Sequence, residues 1–289
     1  MSKNTSINQQ KLKIPKLIIV TSKFISLISP KLAVLYAAKL FTTPIKHTLP
    51  KREWDMNRKS EQKVLLIPQI NKNVVIYQYG KSDKKILLVH GWSGRGTQLV
   101  KIADELLKEG YSTISFDAPA HGKSPGNSSI MIDFIASIIE IDKQYGSFEA
   151  AIGHSLGGMS VLNAIKNGLK VKSATIIGSG DIVQDIIDDF VSNLKLKPNI
   201  AKRMQLHFEK KYNEPMNNYS AYIAAKNTSI PVLVIHDQDD FEVPVKAGIH
   251  IHKHLQNGEL VITNGLGHRK ILGDHNVVQK VITFITKNQ

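Results

Sequence analysis

The chain has 289 residues, of which 42% are hydrophobic and 21% charged, a composition typical of a globular domain with a sizeable core. It contains no cysteine, which excludes disulfides and thiolate metal sites. Its formal net charge is +14, but residues 1–63 hold thirteen Lys or Arg against three acids, whereas residues 64–289 hold twenty-five against twenty-one. Because the excess positive charge lies mostly in one arm and no nucleic-acid motif accompanies it, nucleic acid is not an expected partner.

The first predicted element is this basic amphipathic arm, residues 1–63. Three lysines interrupt its apolar stretch from Leu17 to Phe41, so it lacks the roughly 18–20 apolar residues of a membrane-spanning helix. Pro30 divides the stretch into two short helices. Three interpretations stay open: the helices cap the domain with their lysines in water, residues 14–41 lie on an anionic membrane surface, or the helices bind a partner. The expected location is cytoplasmic, and peripheral at the inner membrane surface in the second case.

From residue 64 onward, apolar runs typical of strands alternate with helical patterns. The first two runs predict an antiparallel hairpin with Asn71 and Lys72 at its turn. Several others are uninterrupted, as in strands buried on both faces of a parallel sheet. The alternation predicts an α/β protein with a mainly parallel eight-stranded sheet and helices on both faces. The predicted strands are 64–70, 73–79, 86–90, 111–116, 148–153, 174–178, 232–236 and 259–263. Glycines are predicted to end four of the helices: Gly110, Gly146, Gly168 and Gly258.

One stretch, residues 181–228, interrupts the alternation. It has no strand-like run but two or three amphipathic helical segments. An insertion between the sixth and seventh strands lies near the carboxyl ends of the strands, where ligands bind in open α/β sheets. The sequence therefore predicts a small helical lid within a domain of residues 64–289.

The sharpest chemical motif is AIGHSLGG, residues 151–158. It matches G-x-S-x-G at Gly153, Ser155 and Gly157, directly after a predicted strand and before a predicted helix. Such a turn lifts a serine hydroxyl above the sheet and places it at a helix N-terminus. The motif predicts that Ser155 is a nucleophile and that His154, beside it, is a candidate for substrate contact.

A nucleophilic serine requires a histidine base, itself oriented by an acid. Among the eleven histidines, His268 lies in a glycine-flanked loop after the final predicted strand, from which it can reach back over the sheet. His250 and His254 share one helix face, but no third metal ligand is evident near them, so no metal site is expected. The sequence therefore favours His268 as the base.

Taken together, the motifs resemble those of the α/β-hydrolase superfamily over residues 64–289. The resemblance implies that Ser155 is the nucleophile, His268 the general base and Asp240 the acid, three residues before Val243-Pro244. The motifs are HGWSG (90–94), FDAPAHGKS (116–124), GHSLGG (153–158), HDQDDFEVP (236–244) and GLGH (265–268).

The resemblance also implies an oxyanion hole formed by the backbone N–H groups of Trp92 and Leu156. Ser93 and Arg95 stand beside this loop, where they either contact substrate or only shape the turn. The expected activity is hydrolysis of a carboxylic ester or thioester through an acyl-enzyme, without a metal or organic cofactor. The apolar lid and basic arm favour a hydrophobic or lipid-derived acyl substrate. The alternatives are an acyltransferase with the same triad and a non-catalytic ligand-binding protein on this fold.

Overall fold

A computed structural model describes residues 14–289, so the first thirteen residues of the predicted arm lie outside the described range. The described chain contains one eight-stranded sheet in the order β1-β2-β4-β3-β5-β6-β7-β8. β2 is antiparallel to both β1 and β4, and the other neighbouring pairs are parallel. The strands are β1 (Glu61–Ile67), β2 (Lys72–Tyr79), β3 (Lys85–Val89), β4 (Ser112–Asp117), β5 (Phe148–His154), β6 (Ser173–Ile177), β7 (Val232–Asp237) and β8 (Gly258–Thr263).

The predicted mainly parallel sheet is therefore confirmed, and every predicted strand lies within three residues of an observed one. The largest difference is β1, which begins at Glu61, inside the range assigned to the arm. The helices are α1 (Lys16–Ile28), α2 (Pro30–Phe41), α3 (Trp54–Lys59), α4 (Val100–Lys108), α5 (Met131–Tyr145), α6 (Leu156–Lys166), α7 (Val183–Asn193), α8 (Pro198–Tyr212), α9 (Ala221–Lys226), α10 (Lys246–His254), α11 (Gly267–Lys270) and α12 (His275–Lys287).

Apolar side chains leave the central strands in alternating directions, which buries both faces of the sheet. In β3, Ile86 and Leu88 belong to the cluster that includes α4 and α12. Leu87 and Val89 belong to the opposite cluster, which includes α5 and α6. Since successive strand residues point to opposite faces, an unbroken apolar run requires helices on both sides, and they are present.

The predicted glycine caps hold for only part of the set. Gly110 and Gly168 adopt positive φ angles of 80° and 109° directly after α4 and α6 end. Gly146 caps α5 with φ −63°, outside the left-handed region. The prediction for Gly258 is wrong, because α10 already ends at His254 and Gly258 begins β8.

The arm and the insertion pack against each other on one side of the sheet. α7, α8 and α9 lie between β6 and β7, within residues 181–228. α2 packs on α8, and the ring of Phe41 lies 5.1 Å from that of Phe190 and 5.9 Å from that of Phe208, between centroids. This contact fixes α2 to the domain.

α1 packs on α2 in an orientation that its sequence does not suggest. A helix that caps a domain is expected to turn its apolar side inward. Here Ser22 is the fully buried residue of α1, with its hydroxyl donating to Ile18 O at 2.7 Å, while larger apolar side chains face outward. Within residues 14–289, no helix is both long and apolar enough to cross a bilayer.

Candidate active site

Ser155 occupies a sharp turn between β5 and α6. Its backbone has φ 54° and ψ −120°, a conformation that a residue with a side chain rarely adopts. The turn is held by Ser155 N–H donating to Ile177 O at 2.9 Å. A Cβ at Gly153 would collide with Gly157 O, and one at Gly157 would collide with Val89 O. The two glycines are therefore required by close packing, and the serine between them projects beyond the strand.

His268 and Asp240 form a hydrogen-bonded pair beside this turn. His268 Nδ1 lies 2.7 Å from Asp240 Oδ2, and both side chains are almost fully buried. The other carboxylate oxygen, Oδ1, accepts from the backbone N–H groups of Glu242 at 2.9 Å and Val243 at 2.8 Å. Asp240 is thus held in one orientation, and it accepts the Nδ1 proton of the imidazole.

The surroundings of Asp240 favour its charged form. Burial acts to raise the pKa of this carboxyl, but hydrogen bonds from His236, His268 and the Val243 N–H outweigh it and hold the pKa well below its ordinary value. His236 Nε2 lies 3.5 Å from Asp240 Oδ2 and 2.9 Å from Val243 O. Asp240 is therefore charged beside His268 at neutral pH.

A second aspartate, Asp237, organises the loop that carries His268. It accepts hydrogen bonds from the Thr263 hydroxyl at 2.6 Å and from the N–H groups of Asp239, Leu266 and Gly267 at 3.0, 3.2 and 2.9 Å. Burial acts to raise the pKa of Asp237, but these donors lower it below the ordinary value. Sequence reasoning gave this residue no specific function, although its position at the end of β7 is a signal for one.

The remaining acids of this segment also have defined partners. Asp239 Oδ2 accepts from Gly265 N–H at 2.9 Å. Glu242 pairs with Arg269 at 2.9 Å near the surface. One carboxylate therefore pairs with the histidine, two fix its loop, and one forms an ion pair at the rim.

His154 lies beneath His268. Its Nε2 is 2.9 Å from His268 O, and the two rings are 4.6 Å apart between centroids. Burial, and then the neighbouring His268, lower the pKa of His154 to about 3, so this ring is neutral. It supports the backbone of His268, and its predicted contact with substrate stays a prediction.

The two predicted oxyanion donors border the same turn. α6 begins at Leu156, so the Leu156 N–H has no acceptor within the helix. Trp92 follows Gly91 in a turn closed by Gly94 N–H donating to Gly91 O at 3.0 Å. Backbone donors at such positions can stabilise an anion.

Ser155, His268 and Trp92 line one cavity of about 220 Å³. Much of the remaining wall comes from the arm, whose contribution we call the strap, residues 45–53. Few large apolar side chains face the cavity; among the lining residues they are Pro50 and Trp92. The lining residues from the strap are His47, Thr48, Pro50, Arg52 and Glu53.

The strap is held by Ser93 and Arg95, for which the sequence left open either a contact with substrate or a role in shaping the turn. Ser93, whose φ is 55°, accepts from Ile45 N–H at 3.0 Å through its hydroxyl. Arg95 Nη2 donates to His47 O at 2.8 Å. Both residues also line the cavity. Their polar groups bind the strap in this structure, and contact with substrate stays a prediction.

Glu53 is the buried anchor of the strap, at 2% exposure. It accepts from the Thr97 hydroxyl at 2.7 Å and lies 3.7 Å from Arg95 Nε and 3.3 Å from Arg52 Nη2. Sequence reasoning missed this anchor. The available signal was that Glu53 is the first acid of the chain.

The predicted lid does not contribute to this cavity. None of residues 181–228, all of which the structure describes, is among its lining residues. Asp117, at the end of β4, has a structural role instead. It accepts from the N–H groups of Gly96 and Lys123 at 2.7 and 2.6 Å and from the Tyr77 hydroxyl at 2.9 Å. A lid function for the insertion stays a prediction.

The sheet is mainly parallel, a serine lies on a strand–turn–helix elbow, and a histidine–carboxylate pair lies beside it. Together these features are typical of the α/β-hydrolase fold. A family model described as "alpha/beta hydrolase fold" matches residues 84–215, and one described as "TAP-like protein" matches residues 210–289. The chain belongs to the α/β-hydrolase superfamily, as its motifs indicate.

Solved structures show the same fold at low sequence identity. An esterase from Pyrococcus furiosus, Pf2001, matches with a TM-score of 0.65 and 17% identity over 85% of this chain and 98% of its own. A putative lipase from Acinetobacter baumannii has a TM-score of 0.61 and 19% identity over 84% and 99%. A bromoperoxidase from Bacillus anthracis has a TM-score of 0.61 and 16% identity over 78% and 100%. No curated protein sequence matches the chain.

Proposed function

We propose that the protein is a serine hydrolase that cleaves carboxylic esters or thioesters through an acyl-enzyme. The observation that supports this most strongly is the convergence of three groups. Ser155 sits on the elbow, His268 shares its cavity, and Asp240 pairs with the far nitrogen of that histidine. A serine hydroxyl becomes nucleophilic when an oriented imidazole accepts its proton.

In the first half of the reaction, Ser155 Oγ attacks the carbonyl carbon of the substrate. Its proton moves to His268 Nε2, and the imidazolium that results is stabilised by the Asp240 carboxylate at Nδ1. The negative charge on the tetrahedral oxygen is stabilised by the N–H groups of Trp92 and Leu156. Each such donor typically contributes about 2.7–4 kcal/mol of transition-state stabilisation.

The intermediate then expels the alcohol or thiol, which takes the proton from His268, and Ser155 keeps the acyl group. In the second half, His268 accepts a proton from water, and the hydroxide oxygen attacks the acyl carbonyl. Collapse releases the carboxylic acid and returns the proton to Ser155 Oγ. The proposed chemistry uses only groups of this chain and the substrates.

The cavity favours a small acyl group. Its volume of about 220 Å³ is below the roughly 300–1,000 Å³ of pockets that enclose drug-sized ligands. Its wall holds few large apolar side chains, and the predicted lid contributes none. We therefore propose short-chain esters as the preferred substrates, in place of the lipid-derived acyl groups that the sequence suggested.

The experiment that tests the proposal combines covalent labelling with an ester series. A fluorophosphonate probe is expected to label the wild type and not Ser155→Ala. In the ester series, p-nitrophenyl acetate is expected to be cleaved faster than p-nitrophenyl esters of long-chain fatty acids. Loss of the nucleophile typically lowers kcat by about 10⁶-fold. Ser160→Ala is the matched control, because Ser160 is buried one turn further along α6 and its hydroxyl donates to Leu156 O at 2.8 Å.

Labelling that persists in Ser155→Ala would contradict the assignment of the nucleophile. A folded wild type that neither reacts with the probe nor cleaves any ester would favour the non-catalytic alternative. Adding an alcohol or amine acceptor tests the other alternative. If most of the acyl group is transferred to the acceptor at the expense of hydrolysis, the protein is an acyltransferase with the same triad.

A further inference from the structure

The outward face of α1 is strongly apolar. Five large side chains lie within about 100° of arc on this helix, given 100° per residue. Leu27 is 85% exposed and Leu17 76%, which is far more than such residues need to expose when a domain surface is available. The five residues, which we call the α1 face, are Leu17, Val20, Phe24, Leu27 and Ile28.

The face is unpartnered because α1 uses its other side for packing. Ser22, Ile18 and Ile25 point towards the protein, and α1 contacts α2 there. Two further exposed apolar side chains, Leu32 and Leu35, lie on the adjoining helix α2. α1 therefore packs through Ser22 and two partly buried isoleucines, and it leaves Phe24 and its leucines in contact with solvent.

The segment that carries the α1 face has only positively charged side chains. Residues 1–52 contain nine lysines, one arginine and no acid. Lys16 and Lys23 lie at the edge of the face, and Lys31 and Lys39 are exposed on α2. Lysines at such positions extend their ammonium groups towards a polar boundary while their aliphatic stems cover apolar surface.

We propose that the α1 face docks on an anionic lipid bilayer, with α1 parallel to the membrane plane. Aliphatic and phenyl side chains enter the acyl boundary, and the lysines contact the acidic headgroups. A second copy of this chain is the less favourable occupant. A two-fold contact through the face would bring identical lysines together, and residues 1–52 offer no carboxylate to pair with them.

Docking of α1 would involve the same arm that forms part of the cavity wall. This consequence does not depend on the proposed reaction. α1 is joined to α2, and the chain after α2 becomes the strap that walls the cavity of Ser155. Thr42 O accepts from Ser129 N–H at 2.8 Å, and Lys46 Nζ donates to Ser124 O at 3.0 Å, so this connection is fixed along its length. The bilayer therefore binds the same arm that forms the cavity wall.

The test is co-sedimentation of the full chain with vesicles. The wild type is expected to sediment with vesicles of equal parts phosphatidylcholine and phosphatidylserine, and to sediment less with pure phosphatidylcholine. Phe24→Gln combined with Leu27→Gln is expected to reduce the partition coefficient by at least about tenfold, since both apolar contacts are lost. Leu206→Gln is the matched control, because Leu206 on α8 is 54% exposed and lies outside the face.

A second pair of variants tests the charge. Lys16→Gln and Lys23→Gln are each expected to weaken binding to the anionic vesicles by roughly fivefold, and added salt should do the same. Lys101→Gln and Lys253→Gln, exposed on α4 and α10, should have little effect. Wild-type protein that stays in the supernatant with anionic vesicles overturns the proposal. Dimerisation that is lost in the Phe24/Leu27 variant, without vesicle binding, would assign the face to a second copy.

Discussion

Two regions of the molecule are built on opposite principles. The loops of Asp240 and His268, residues 236–244 and 264–268, bury carboxylates and imidazoles and provide them with hydrogen-bond partners. Asp237 alone accepts four hydrogen bonds. α1, at the other end of the chain, buries a serine and exposes leucine and phenylalanine.

Buried polar groups and exposed apolar side chains both depart from ordinary packing, and each indicates something different about function. A buried polar group costs free energy unless it is hydrogen-bonded, so a dense network of satisfied carboxylates marks a site that must be held rigid. Exposure of a contiguous apolar face to water is unfavourable, so such a face indicates a surface that binds a membrane or another molecule. In this protein the strap connects the two regions.

Among substitutions in the loops of Asp240 and His268, the largest effect is expected for Asp240→Asn. The amide oxygen would still accept from the Glu242 and Val243 N–H groups, which turns the amide NH₂ towards His268. The imidazole would then carry its proton on Nε2 and could not accept one from Ser155. By analogy with other triads, kcat is expected to fall by about 10⁴-fold without loss of the fold. Steady-state kinetics with a short-chain ester measure the change.

Asp239→Asn is the matched control, one residue away. Its Oδ2 accepts only the Gly265 N–H among the described contacts, and an asparagine oxygen can accept the same bond. Activity close to that of the wild type is expected. If Asp239→Asn is inactive and Asp240→Asn is not, the acid assigned from the motif is the wrong one.

The sequence was sufficient for the sheet. Its motifs also identified Ser155 and His268, which line the cavity, and Asp240, which pairs with that histidine. Strand runs such as 86–90 carry strong local signals, because burial on both faces demands uninterrupted apolar residues. Ser155 could be located because the elbow demands small residues at fixed spacing. Asp240 needed the motif, since composition alone does not separate it from Asp237 or Asp239.

The arm could not be predicted in the same way. Which side of α1 faces inward depends on the shape of α2 and α8, which is tertiary information that a helical period does not contain. The strap has no regular pattern, and its partners Ser93, Arg95 and Thr97 lie more than forty residues further along the chain. The lid expectation relied on topology, which places an insertion near the strand ends without deciding which segment reaches the cavity.

A smaller effect tests whether the strap is part of the cavity wall. Glu53→Gln removes the charge that pairs with Arg95 and Arg52, while the Thr97 hydroxyl can still donate to the amide oxygen. We expect a loss of about 1.5–3 kcal/mol in the free energy of unfolding, typical of a hydrogen bond to a charged group. With the strap loosened, KM for a short-chain ester should rise while kcat changes little. Urea unfolding and steady-state kinetics measure both.

Asp55→Asn provides the comparison for an acid that lies two residues away but in solvent. Its pair with Arg58, at 2.8 Å, joins two exposed side chains, and such pairs contribute about 0–1 kcal/mol. Neither KM nor stability should change measurably. Equal effects from Glu53→Gln and Asp55→Asn would mean that the strap does not shape the cavity.

The smallest effect is expected at Asp237, and it has a pH signature. The pKa of this carboxyl is lower in the folded protein than its ordinary value of 3.8, so the unfolded chain binds more protons just below that pH. The stabilisation is fully present above the ordinary value and is lost as pH falls through the folded pKa. Asp237→Asn should cost about 1–2 kcal/mol at neutral pH, since an amide cannot accept all the bonds of a carboxylate.

Urea unfolding at a series of pH values measures this difference between wild type and Asp237→Asn. The gap in the free energy of unfolding should shrink progressively as the pH falls below about 4. Asp189→Asn, an exposed position on α7, should show no such gap at neutral pH. A gap that stays constant down to strongly acidic pH would mean that the asparagine acts through packing, and that the charge of Asp237 does not hold the loop of His268.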